Sequence, residues 1–331
     1  MWWLGQQAIR LLELAAPFTP GGALPQTPTG YRAGETFMAG PFRITPYLMD
    51  HSAYDAHALL VEASERRMFY SGDFRGHGRK AQVFERFLAN PPANIELLLM
   101  EGTTLDREEP AASEADVEAQ ATAIMQETAG LALTVFSAQN IFDWFVSFLC
   151  AAIRSGRTFV IDAYLANLIR GLGLHSLPDP ASDERIRVFL PTSQKRMIVA
   201  SGRFDLIEPF RQRRIFSEEI ADNPGRFAML FRTSMARDLP SLDLAGGSVI
   251  YWLWPGYLER DRIDLRQWCR ERNIDFHLAH SSGHATLGDL RRMAHAIQPE
   301  RLMPIHSAVP QSYTGLYPSV QWAGNGDWVD V

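Results

Sequence analysis

At 331 residues the chain is long enough to bury one large core or two medium ones. Its composition, 46% hydrophobic and 21% charged, is that of an ordinary globular protein and excludes a disordered or fibrous one. A formal net charge of −6 excludes a protein that coats nucleic acid by charge alone, while leaving room for a local basic groove.

The opening run, Trp2, Trp3, Leu4 and then Leu11, Leu12 and Leu14, lacks a basic leading segment and is interrupted by Gln6, Gln7, Arg10 and Glu13. It reads as an amphipathic helix of a folded domain, not as a signal peptide. No uninterrupted apolar stretch elsewhere reaches the length that spans a bilayer, so a cytoplasmic protein without a membrane partner is expected. Cys150 and Cys269 stand far apart and outside any CxxC pattern, which implies no disulfide framework and a reducing compartment.

A loop rich in Gly, Pro and Thr follows from Thr19 to Gly34. Strand-like runs come next at Phe42–Leu48, Ala58–Ala63 and Met68–Tyr70, a sheet-and-loop style without a βαβ repeat. From about residue 95 the style changes to alternating β-rich and helical patterns, the signature of an α/β layered protein. Ile95–Met100 fits a strand buried on both faces. Ser113 with Asp116 starts a capped helix running to about Thr128, and Leu131–Phe136 is the next strand. Ile141, Trp144, Phe145, Phe148 and Leu149 form a helical apolar stripe. Further strands are expected at Thr158–Ile161, Ile186–Leu190, Phe227–Phe231 and Val249–Leu253. Two compositional styles in one chain imply two domains.

Three of the nine histidines fall between His51 and His77, and five between His277 and His306. Histidines beside carboxylates are the raw material of metal sites and acid–base pairs. His51 follows the strand ending at Leu48, and Asp73 follows the one ending at Tyr70. If those strand ends adjoin, the two side chains share one ion; otherwise they are a surface histidine and a turn-capping aspartate. Glu101 closes the buried Ile95–Met100 run and is followed by glycine, which suits a catalytic carboxylate or an ordinary strand exit. The segment from His280 through Ser282 to His284 precedes a helix with Thr286 as N-cap and Asp289 three residues on. Free N–H groups at such a start favour a phosphate. The run Leu302–Ile305 then forms a short strand ending at His306. His295 reads as a surface residue, and His57, His77, His175 and His277 as structural.

Taken in order, DHS with His51, SGDF with Asp73, MEGTT with Glu101, HSSGHA with His280 to Ala285 and PIHS with His306 resemble the metallo-β-lactamase superfamily, in its β-CASP branch. That branch includes ribonuclease J and the cleavage-and-polyadenylation nucleases. Asp73 follows His51 by 22 residues and His306 follows His284 by 22, as in the family layout, and the resemblance covers nearly the whole chain. It implies an α/β protein: a metallo-β-lactamase αββα sandwich, incomplete at its N-terminal end, with an inserted β-CASP α/β domain. The implied segments are 1–104 and 276–331 for the sandwich and 105–275 for the insertion.

The resemblance further implies a zinc-dependent phosphodiester hydrolase, a nuclease of RNA processing, with two zinc ions in the intact family site. His51, Asp73 and His306 would be metal ligands. Glu101 would orient His284, which would protonate the leaving oxygen, and His280 and Ser282 would hold a substrate phosphate. The family hallmark HxHxDH, which supplies four further ligands upstream, has no counterpart in this sequence. A partial metal site and impaired catalysis are therefore expected. An exposed sheet edge is expected too, which leaves room for a homodimer. The alternatives are a non-catalytic RNA-binding remnant, with Lys195, Arg196, Arg203, Arg211, Arg213 and Arg214 lining a channel, and a small-molecule hydrolase of lactonase or thioesterase type.

Overall fold

The computed structural model describes residues 2–19, 21–22, 24, 26–106, 112–137, 141–239, 243–260 and 263–331. In chain order the first elements are β1 (Trp3–Gly5), α1 (Gln6–Ala15), β2 (Thr29–Tyr31), β3 (Phe37–Ala39), β4 (Phe42–Leu48), β5 (His57–Ala63), β6 (Arg66–Tyr70), α2 (Ala81–Ala89) and β7 (Leu97–Glu101). Then come α3 (Glu114–Glu127), β8 (Ala132–Val135), α4 (Val146–Arg154), β9 (Thr158–Asp162), α5 (Ala163–Leu172), β10 (Ile186–Phe189), α6 (Thr192–Ser201), β11 (Arg214–Ile215) and α7 (Ser217–Asp222). The last are β12 (Phe227–Leu230), β13 (Ser248–Tyr251), α8 (Leu265–Arg270), β14 (Asp275–Leu278), α9 (Leu287–Ile297) and β15 (Arg301–Ile305). The protein is a mixed α/β fold.

The chain divides into two compact units. Unit one comprises Met1–Ile9, Gln26–Ser113 and Ser282–Val331; unit two comprises Arg10–Pro25 and Glu114–Ser281. The boundaries fall at 113/114 and 281/282, where the family resemblance implies 104/105 and 275/276, and residues 10–25 group with unit two. Among the described residues no helix is long and apolar enough to cross a membrane.

Unit one carries a six-stranded sheet in the order β15-β7-β6-β5-β4-β3. β15, β7 and β6 pair in parallel, and β6 to β3 pair antiparallel. One face of the sheet buries Ala58, Leu60, Phe69, Leu98, Met100 and Leu302 in a core shared with Phe84 and Phe87 of α2 and Leu290, Met293 and Ala294 of α9. Alternation along each strand sends these residues to one side. The expected cap of α9 forms as read: Thr286 Oγ1 accepts from Asp289 N at 3.1 Å. The opening helix starts later than its apolar pattern suggests. Met1 lies outside the described residues, and Trp3–Gly5 forms a strand paired in parallel with Thr29–Tyr31, inside the stretch read as loop. A local apolar run cannot reveal that distant partner. The Asp55 carboxylate, from far along the chain, accepts from Gln7 N and Ala8 N at 3.0 Å each and caps α1.

Unit two carries a seven-stranded, all-parallel sheet in the order β11-β10-β9-β12-β8-β13-β14. Its strands β8, β12 and β13 are buried on both faces, which is why they read as continuous apolar runs. The helix expected from Ile141 opens with a π-helical turn, Ile141–Phe145, before α4. The buried Arg157 guanidinium closes the amino end of this sheet. It donates to the carbonyls of Met125 (3.0 Å), Gly130 (2.8 Å), Phe227 (3.0 Å) and Thr128. Removing it orphans several buried acceptors at once, each costing about 1–3 kcal/mol. Arg157→Met is therefore expected to lower the urea unfolding free energy by about 3 kcal/mol or more, whereas the exposed Arg226→Met changes it little.

Candidate metal and acid–base centre

Because β5 runs opposite to both β4 and β6, the strands β4, β6, β7 and β15 all run the same way and all end at one edge of the unit-one sheet. His51 lies three residues beyond β4, Asp73 three beyond β6, Glu101 at the end of β7 and His306 one beyond β15. The side chains of Asp73, Glu101, His284 and His306 each offer a ligand atom, and these atoms lie within 4.8 Å of one another. His51 Nε2 stands 4.0 Å from Asp73 Oδ2. The ring of His284 meets those of His51 and His306 edge-on, with centroids 5.5 Å and 5.3 Å away. β4 and β6 are not neighbours, since β5 lies between them; three-residue extensions past each strand bring His51 and Asp73 together instead.

Two glycines make this convergence possible. Gly72, at φ +57, turns the chain between β6 and Asp73, and a Cβ there would sit 2.7 Å from His57 O. At Gly283 a Cβ would stand 2.5 Å from Ser52 Oγ and 3.3 Å from His51 Nε2. His306 takes a left-handed conformation, φ +48, without being glycine. Such strain costs roughly 1–3 kcal/mol and clusters at working sites.

Each side chain is held in a defined state. Glu101, 1% exposed, accepts from Ala285 N at 3.1 Å and Phe74 N at 3.4 Å through Oε1, and from Thr103 N at 3.1 Å through Oε2. Burial alone would raise its pKa; the hydrogen bond and charge of His284 and the N–H groups of Ala285 and Thr103 more than offset that, so it is lowered. Nδ1 of His284 lies 3.4 Å from Glu101 Oε1. His306 Nδ1 is 2.9 Å from Asp73 Oδ1, with the Thr103 hydroxyl 3.4 Å away. Burial first, and then the charge of His284, push His51 down to about 3, only partly opposed by Asp73. His51 Nδ1 accepts from Ala53 N at 2.9 Å, and its buried Nε2 makes no hydrogen bond.

Ser282 belongs to the same unit: its Oγ accepts from His284 N at 3.2 Å, and its carbonyl accepts from Arg75 Nη1 at 2.8 Å. His280 belongs to unit two, where its Nδ1 lies 2.8 Å from Trp252 O. His57 sits 3.7 Å from Asp55, and His77 lies 3.0 Å from Ser282 O.

Several supporting residues carry no signal in the sequence. Tyr313, fully buried, donates to the carbonyls of Met100 and Glu101 and fixes the end of β7. Ser71 Oγ accepts from Glu101 N at 3.1 Å and ties the ends of β6 and β7 together. The fully buried Arg75 lies 3.7 Å from Asp50, itself next to His51.

No protein-family model matches the chain, and no curated relative does. Among solved structures it is similar to a protein of unknown function from Enterococcus faecalis V583, with a TM-score of 0.76 and 20% identity. The match covers 98% of this chain and 74% of that one, and at that identity it shows the fold alone.

Two outcomes follow from the geometry. At His306, glycine releases left-handed strain while losing the Asp73 contact, so His306→Gly should change the urea unfolding free energy by less than about 1 kcal/mol. His306→Val, β-branched and strained there, should destabilise by more than that in the same measurement. His51 is held neutral in the fold, so the unfolded chain binds more protons between its ordinary value of 6.5 and about 3. Its stabilising contribution is complete above pH 6.5 and is lost as pH falls through that window. Unfolding free energies from pH 7 to 4 should therefore decline more steeply for the wild type than for His51→Gln.

Proposed function

We propose that this chain is a metal-dependent hydrolase of the metallo-β-lactamase superfamily, in its β-CASP branch, acting on the phosphodiesters of RNA in the cytoplasm. In this reading unit one is the superfamily's αββα sandwich and unit two the β-CASP insertion. The observation that carries it is the meeting of two carboxylates and three histidines at one sheet edge, from four separate strand ends and the start of α9.

The residues fit a metal in part. Two ligands about 2.1 Å from a zinc ion stand about 3.4 Å apart at the tetrahedral angle. The His306–Asp73 and His51–Asp73 separations of 2.9 Å and 4.0 Å bracket that value. The unpartnered, buried Nε2 of His51 is the atom that a cation would satisfy. Ligation there needs the lone pair on Nε2 and hence the proton on Nδ1, so His51 must release the Ala53 N–H it now accepts. His51, Asp73 and His306 would hold the ion. A bound zinc would supply Lewis acidity and a water of lowered pKa. Glu101, already bonded by three backbone N–H groups, is left to orient His284 rather than to ligate. A protonated His284 would then give its proton to the leaving oxygen.

Three ligands match an open catalytic site for one ion better than the two-ion set of the family. Purified protein equilibrated with micromolar zinc is expected to hold at most one ion per chain, removed by mild chelation and absent in Asp73→Asn. Two tightly held ions would contradict this. With zinc or manganese in millimolar excess, slow cleavage of a labelled single-stranded RNA is expected, at least ten-fold reduced in His284→Ala. Metal-independent RNA binding with no cleavage above the Asp73→Asn background would instead support a non-catalytic RNA-binding protein. The present bond from Ala53 to His51 is the observation that favours that second reading.

A further inference from the structure

Unit two has a cavity of its own, at the carboxyl ends of its parallel strands. In the order β11-β10-β9-β12-β8-β13-β14 the chain leaves β9 toward β10 on one side and leaves β12 toward β13 on the other. β9 and β12 are direct neighbours, so their outgoing connections diverge. A crevice at such a switch point is where open α/β sheets bind ligands.

The segments at this point are tied together by one buried carboxylate. Asp162, the last residue of β9, is fully buried. Its carboxylate accepts from Leu165 N at 2.8 Å, Gln194 Nε2 at 2.8 Å and Arg232 Nε at 2.7 Å. The carboxylate is therefore committed to structure, and it locks the start of α6 to the segment after β12. Beside these segments lies a cavity of about 650 Å³, lined among others by Thr192, Ser193, Arg196, Ser234, Arg237 and Asp238.

Two guanidinium groups, those of Arg196 and Arg237, line this cavity. Arg185, Arg187, Arg203 and Arg213 each stand against a carboxylate. Arg196 and Arg237 are exposed, and among the described residues neither has an ion-pair or hydrogen-bond partner. Helix α6 begins behind Pro191, which offers no side-chain cap. Thr192 N donates to Asp238 Oδ1 at 3.1 Å, leaving the N–H groups of Ser193 and Gln194 without an intrahelical carbonyl. Against the one negative charge of Asp238 stand two guanidinium groups and the positive end of a ten-residue helix. Donors that approach from two arginines, two serine hydroxyls and a helix start suit a tetrahedral oxyanion better than a planar carboxylate. The volume accommodates a mononucleotide.

We propose that this crevice binds a phosphorylated ligand of nucleotide size, its phosphate held by Arg196, Arg237, Ser193, Ser234 and the start of α6. The site shares no residue with the strand-end cluster of unit one and does not rest on the hydrolase reading.

Calorimetric titration of the full chain in the presence of a chelator, with AMP, adenosine and inorganic phosphate as probes, tests it. AMP is expected to bind at least ten-fold more tightly than adenosine, and more tightly than phosphate. The double substitution Arg196→Gln with Arg237→Gln should weaken AMP at least ten-fold without changing the melting temperature, since both side chains are exposed. Asp73→Asn should leave AMP binding unchanged. Wild-type affinity in the double variant would overturn the proposal, as would loss of binding in Asp73→Asn, which would move the ligand to the other cluster. Phosphate binding as tightly as AMP would overturn the nucleotide assignment.

Discussion

The shared direction of β4, β6, β7 and β15 is the constraint on which the strand-end cluster of unit one depends. Side chains placed just beyond strands that run the same way meet at one edge, whatever their separation in sequence. Asp73 and His306 are 233 positions apart yet lie 2.9 Å apart. The convergence is paid for locally. Gly72 and His306 adopt left-handed backbone, and a side chain at Gly283 would crowd Ser52 and His51. The fully buried Asp50 and Arg75 stand beside His51 and Asp73, in a position where a lost partner would leave an uncompensated charge.

The same edge sorts its groups by environment. Glu101 is buried, yet its hydrogen bonds keep it ionised, so it can orient an imidazole without taking up the proton. His51 is buried without enough compensating charge and stays neutral, the form that a metal requires. Asp73 and His306 are more exposed and face each other. One carboxylate is thus fixed by backbone N–H groups, while the other is partly exposed beside an imidazole.

Much of this was legible in the sequence. The strands Phe42–Leu48 and Phe227–Leu230 and the cap at Thr286 follow from local periodicity and turn chemistry, which act over a few residues. His51, Asp73, Glu101, His284 and His306 stood out as histidines and carboxylates at strand ends and at a helix start. What was hidden depends on distant partners. The strand Trp3–Gly5 exists because Thr29–Tyr31 pairs with it, and Tyr313 supports Glu101 across 212 positions. The π-helical turn at Ile141–Phe145 keeps the apolar stripe of a regular helix, so periodicity could not reveal it. His51 and Asp73 meet, but across β5 and not from neighbouring strands, a detail of order that strand patterns do not carry.

The central claim is that His51, Asp73 and His306 form a metal site while Glu101 and His284 form a separate acid–base pair beside it. Long-range proton–nitrogen NMR spectra of the histidine side chains, recorded during a zinc titration, test this most directly. The account predicts that the ring nitrogens of His51 and His306 shift on binding, with the His51 proton moving to Nδ1, while His284 keeps its Nδ1 proton toward Glu101. Zinc-induced shifts at His284 without His51, or at none of the three, would contradict it.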